Sequence, residues 1–327
     1  MPGSQVRVLV VTTFDTPVGE GAGEAFRWIR RRVMDAPIPV PGLCPDYPVV
    51  LGGAPGVWLL TTGMGAANAA ASVTALAMSG ILDLRWAYVL VAGIAGIAPD
   101  RGTLGSPVWT DHAVSGSLAH ELDAREMPAD WPHGFVPLGA RRPGEQPLLH
   151  VGGEAFALNR RLCRAARDIT RDVPLADDRA AEASRARYPQ PTARQAPSLL
   201  TGATLSSDTF WSGRLLSDRA RRWVTQYTDG RGEYTTTQME DNAILTAVGR
   251  ARGLLDPDRV AILRCGATFD QAPPGCDPAS AFDDRSGWTI AAENAYRVGS
   301  AFADHVVEHW TDWRDGVPDH AAAKVGA

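Results

Sequence analysis

The chain has 327 residues, 45% of them hydrophobic, and a formal net charge of −5. This length and apolar fraction allow a sizeable buried core. The acidic balance, with arginines scattered instead of interleaved with aromatics along one face, disfavours a nucleic-acid polymer as partner.

Val6 to Thr13 is a β-branched, mostly apolar run, as expected of a parallel strand buried on both faces. Pro48 to Leu82 contains no charged residue and is long enough to span a bilayer. Glycine clusters at Gly52–Gly56 and Gly63–Gly65 break it, and its alanine-rich end is only weakly apolar, so no membrane span is expected. It reads as a strand at Val57–Thr61, a glycine turn and a crossover helix at Ala66–Ile81. A third strand at Trp86–Ala92 completes a right-handed βαβ unit.

Between about 109 and 203 the chain becomes rich in Arg, Pro, Asp and Ala with weaker periodicity. We read it as an elaboration on one α/β domain covering 1–327, not as an independent domain. A strand at Ala203–Ser206, a helix at Met239–Val248, a strand at Arg259–Leu263 and a closing helix at Ala291–Trp310 follow. Cys44, Cys163, Cys265 and Cys276 lack the spacing that zinc requires, so no metal is expected. Met1–Ser4 leads into a strand without a signal-peptide pattern, which points to a cytoplasmic protein.

Five segments carry residues suited to ligand chemistry. Gly63-Met64-Gly65-Ala66-Ala67-Asn68 lies where a strand turns into a helix, where it serves either tight packing or an anion and polar ligand atoms. It resembles a dinucleotide turn except at Asn68, and Asp83 stands about 20 residues on, where a nicotinamide-cofactor site would place its ribose acid. Gly93-Ile94-Ala95-Gly96 reads as a second glycine turn after the third strand. In Ser207-Asp208-Thr209-Phe210-Trp211 the hydroxyls and carboxylate suit a turn, and either aromatic ring offers a stacking face for a planar base. Gln238-Met239-Glu240 opens a helix, where Glu240 complements the dipole or accepts hydrogen bonds from a vicinal diol. Asp270, a few residues after the Val260–Leu263 run, is either a loop cap or a general acid facing a base nitrogen.

Taken together, these words resemble the purine nucleoside permease family. The resemblance rests on Thr61–Leu76, Val91–Ile97 with Gly102–Gly105, His120–Pro128, Ser207–Trp211, Met239–Ala243 and Glu293–Ser300, which span nearly the whole chain. It implies a nucleoside phosphorylase-like fold, a three-layer α/β/α architecture around a central mixed, mostly parallel twisted sheet. It also implies that the chain binds a purine nucleoside and cleaves its N-glycosidic bond, with Glu240 on the ribose. It places the purine-recognising group at Thr268, and Asp270, two residues on, is our choice beside Glu240 as the catalytic acid on the base side. Gly65, Asn68, Gly93, Ile94, Ala95, Asp208, Phe210, Gln238, Met239 and Thr268 are the expected substrate contacts. Phe210 is the expected base platform, and Met239 and Glu240 the ribose contacts.

No cofactor is implied, apart from phosphate as the co-substrate of a phosphorylase, and a homo-oligomer is expected. Phosphorylases of this kind carry an arginine just before the Gly93 turn and a serine within it, where this chain has Val91 and Ile94. Hydrolysis is therefore favoured over phosphorolysis, with Asp15, Glu20 or Glu24 as the group that activates water. The competing expectation is a nucleoside-binding protein that serves uptake without catalysis.

Overall fold

A computed structural model of the chain describes residues 6–15, 23–53 and 55–319. Its strands are β1 (Val8–Thr12), β2 (Ala36–Pro39), β3 (Val49–Gly53), β4 (Val57–Thr61), β5 (Tyr88–Ile97), β6 (Pro107–Ser115), β7 (Ala119–Glu121), β8 (Phe135–Pro137), β9 (Ala155–Ala157), β10 (Leu200–Ser206), β11 (Tyr234–Gln238) and β12 (Val260–Phe269). Its helices are α1 (Glu24–Arg32), α2 (Ala66–Ser79), α3 (Arg160–Thr170), α4 (Arg179–Arg185), α5 (Arg214–Tyr227), α6 (Asp241–Arg250), α7 (Trp288–Glu308) and α8 (Trp310–Trp313). The segment from 109 to 203 supplies most of β6, the β7–β8 hairpin, β9, α3, α4 and the start of β10.

The main sheet runs β11-β10-β6-β12-β5-β1-β4-β3-β2. Its β4–β1–β5–β12 centre and its β6–β10–β11 flank are each parallel, and antiparallel contacts join them and add the outer strands. Successive β1 side chains explain the layering. Leu9 and Val11 pack with Val73 and Leu76 of α2 and Ile244 and Val248 of α6. Val8 and Val10 pack with Trp28 of α1, Leu162 of α3 and Phe302 of α7. A strand with apolar groups at every position is buried on both faces, which gives the expected three-layer α/β/α arrangement around a mixed sheet.

One feature differs from a simple open sheet. The far end of β5 also pairs antiparallel with β11, Thr236 opposite Ile97 and Thr237 opposite Gly96, so β11-β10-β6-β12-β5 close on themselves. Register shifts at Gly202/Ala203, Ala203/Thr204 and Gly266/Thr268 supply the bends that closure requires. The ends of β5, β11 and β12 thereby meet in one place.

Candidate functional site

At that meeting point lies a cavity of about 330 Å³. Thr13 and Phe14 after β1, Glu24 of α1, Ile94 to Gly96 of β5, Ser207 and Thr209 to Ser212 after β10, Thr237 to Glu240, and Arg264 with Ala267 to Asp270 contribute to its wall, with Phe282, Arg285 and Trp288 on one side.

The charged floor is built around Arg264. Its guanidinium, 1% exposed, lies 2.6 Å from Asp241 Oδ1, 3.3 Å from Glu240 Oε2 and 3.7 Å from Glu24 Oε1. Burial works against its charge, and the three carboxylates override that, so it remains a cation. Glu24 is held on both oxygens: Oε2 accepts from the Thr13 amide at 2.7 Å and hydroxyl at 2.9 Å, and Oε1 accepts from the Ile94 amide at 2.7 Å. Burial nevertheless raises its pKa, against the pull of Arg264 and these donors. Glu240 caps α6 and accepts from the Gly65 amide at 3.0 Å, and burial pushes its carboxyl up to about 7, opposed by Arg264.

Asp270 lies at the other end of the cavity. Its Oδ2 accepts hydroxyl hydrogen bonds from Ser217 at 2.7 Å and Tyr234 at 2.9 Å. Burial raises this carboxyl to about 6, and the two hydroxyls limit the rise. Phe210, 56% exposed, stands over the opening with its ring centroid 5.7 Å from that of Phe282.

Ile94, Ala95, Phe210, Gln238, Met239, Glu240, Thr268 and Asp270, all expected from the sequence, line this one cavity. Gln238 does so while acting as a brace: its Oε1 accepts from the Glu240 and Asp241 amides, and its Nε2 donates to Thr204 and Ser206. Gly65, Asn68, Gly93 and Asp208 do not line the cavity, and Asn68 and Asp208 are exposed. The Gly65 and Ala66 amides at the start of α2 are engaged by Glu240 and Asp208, so the chain's own carboxylates sit where the sequence suggested an external anion. Asn68 donates to the Met64 carbonyl.

Three expectations need correction. Gly93 to Gly96 is not a turn after the strand, because β5 continues to Ile97, paired with β12 from Gly93 opposite Arg264 to Ile97 opposite Phe269. Glycine is required at 93 for close approach: a Cβ there would lie 2.1 Å from Glu24 Oε1 and 2.6 Å from Arg264 Nη1. Likewise Arg264 to Phe269 belongs to β12 and not to a loop, with Asp270 the next residue. The third correction concerns the arginine inferred to be missing beside Gly93, since Arg264 reaches that spot from the neighbouring strand and its Nη1 donates to the Ile94 carbonyl at 3.4 Å. Of the three water-activating candidates, Glu24 lines the cavity, Asp15 does not, and Glu20 lies outside the described residues.

The match to known proteins follows the same arrangement. A model of the purine nucleoside permease (NUP) family covers residues 5–318. The chain belongs to the purine nucleoside permease family. Among its relatives, the Schizosaccharomyces pombe protein named Probable purine nucleoside permease C285.05 is 34% identical over 266 residues, 78% of this chain and 76% of that one. The Candida albicans purine nucleoside permease is 31% identical over 292 residues, 86% of this chain and 72% of its own.

Solved structures similar to this family member include a nucleosidase and a hydrolase. The 5′-methylthioadenosine/S-adenosylhomocysteine nucleosidase of Neisseria meningitidis aligns with a TM-score of 0.54 at 17% identity, covering 91% of this chain and 98% of its own. The futalosine hydrolase of Helicobacter pylori gives 0.56 at 13% identity, covering 91% and 97%. At such identities the likeness concerns the fold. No helix among the described residues is long and apolar enough to cross a membrane.

Proposed function

We propose that the chain binds a purine nucleoside and hydrolyses its N-glycosidic bond. The observation that carries this reading is the crowding of Glu24, Glu240 and Asp241 around Arg264. A phosphate dianion needs donors with charge to spare, and here the buried Arg264 guanidinium on the cavity floor already faces three carboxylates while Glu24 takes the Ile94 amide. Water is the nucleophile such a site accommodates.

Roles follow from the separation of acids across the cavity. Phe210 stacks on the base, and Glu240 accepts hydrogen bonds from the sugar hydroxyls that strengthen as the ribose gains oxocarbenium character. Glu24 takes a proton from water as the water oxygen bonds to C1′. The C1′–N bond breaks, and Asp270 gives its proton to the departing base. Solvent then returns Glu24 and Asp270 to their starting states, so free base and ribose are the products. Deep burial raises the carboxyls of both Glu24 and Asp270, and a general acid with a pKa of about 6 retains protons where an exposed aspartate has none.

The names of the relatives favour a second reading, a binding protein for nucleoside uptake. One experiment separates the two: the full chain is incubated with inosine and with adenosine in phosphate-stripped buffer, and base and sugar are followed by chromatography and mass spectrometry. Base with free ribose is expected. Ribose 1-phosphate formed only with added phosphate would overturn hydrolysis, and bound but intact nucleoside would support uptake.

A further inference from the structure

The base end of the cavity is built from hydrogen-bond donors. Oδ2 of Asp270 accepts from both Ser217 and Tyr234. A carboxyl oxygen offers two lone pairs, so both are taken. A proton on this group therefore resides on Oδ1, whose contact among the described residues is a long one from Gln271 Nε2 at 3.4 Å.

The loop over Asp270 adds two further donors. Gly213 N donates to the Asp270 carbonyl at 2.9 Å, which fixes Trp211 and Ser212 beside it. Both line the cavity, Trp211 is 8% exposed, and neither its indole N–H nor the Ser212 hydroxyl has a hydrogen-bond partner among the described residues. Buried donors left unpaired cost free energy that a ligand acceptor recovers, and an indole N–H can only donate.

We propose that this site selects 6-oxopurines over 6-aminopurines, Trp211 and Ser212 donating to the carbonyl oxygen and Asp270 Oδ1 donating to N7, the acceptor nitrogen of the imidazole ring on the same edge. The assignment rests on the nucleoside-cleaving reading of the cavity and names its substrate class. An exocyclic amino group at the same position would face the Trp211 donor. It would also find no free lone pair on Asp270 Oδ2, and a site built to pair one group discriminates against an analogue that leaves its donors unmatched.

Free hypoxanthine and adenine titrated calorimetrically into the full chain at pH 5.5 test this. Hypoxanthine should bind about tenfold tighter or better, the scale of one unmatched buried hydrogen bond. Trp211→Phe, which keeps a ring and loses the N–H, and Ser212→Ala should each bring hypoxanthine towards the adenine affinity. Tyr234→Phe, which frees a lone pair on Oδ2, should improve adenine binding relative to hypoxanthine. Equal affinities, a preference for adenine, or failure to bind either base overturns the proposal. Preferential binding of hypoxanthine without cleavage of inosine would uphold the selectivity and remove the hydrolytic reading. Equal kcat/KM for inosine and adenosine would remove the selectivity and leave hydrolysis standing.

Discussion

The guanidinium of Arg264 lies 2.6 Å from the Asp241 carboxylate, with both side chains closed off from solvent. Removing one partner of such a pair strands the other charge in a low-dielectric interior. Asp241→Ala should therefore lower unfolding stability by about 3–5 kcal/mol, read from urea denaturation. A loss under about 1 kcal/mol would mean that Glu24 and Glu240 hold Arg264 without help.

Glu240 gives a pH signature in the folded protein. Its pKa rises from 4.5 to about 7 on folding, so the fold favours the protonated form. The stability it contributes is fully present below about 4.5 and is lost as pH rises through about 7. Glu240→Gln is neutral at every pH and should gain on the wild type by roughly 1–3 kcal/mol between pH 5 and 8 in parallel thermal melts. The same variant should lose about 100-fold in kcat/KM. Parallel melting curves across that range would refute the burial argument.

Glu24→Gln separates binding from chemistry. The amide keeps the shape and removes the base, so kcat should fall by about 100-fold or more while base affinity changes little. Unchanged turnover would move water activation to another group.

Asp270 sets the alkaline limb of activity. It must be protonated to serve the base, so kcat/KM should fall as pH rises through about 6, and Asp270→Asn should remove that limb along with most of the activity. A flat profile in the wild type across pH 5–8 contradicts this assignment.

Phe210 is half exposed over the opening, and its ring is well placed to stack without being needed for the core. Phe210→Ala should weaken base binding by roughly 1–3 kcal/mol with a small change in Tm. A large fall in Tm with normal binding would assign the ring to packing.

Which of these residues the sequence revealed follows from how local their signals are. Val6–Thr13, Val57–Thr61 and the alanine-rich Ala66–Ile81 announce strand and helix through neighbouring residues alone, and β1, β4 and α2 fall within those spans. Glu240 and Asp270 stand next to recognisable motifs. Gly93 misled because a glycine needed for close approach looks like one needed for a turn until Glu24 and Arg264 are seen against it. Arg264, a charged residue directly after the apolar Val260–Leu263 run, is a readable signal whose role the sequence does not assign. Its meaning depends on β5, α1 and α6 converging, which no short window contains. The choice among Asp15, Glu20 and Glu24 was likewise a question of geometry.

The closed ring of strands has a consequence for how the chain reaches its folded state. β5 is threaded between β1 and β12, and Glu24 and Arg264 meet from nearly opposite ends of the chain. Such high contact order places loop closure before the rewarding contacts, which slows folding. During synthesis the first eleven strands emerge before their central partner β12, leaving one side of β5 unpaired and the acids of α1 and α6 without their cation. A chain stopped before Val260 would expose that edge, and it is in this interval that self-association through strand addition competes with folding.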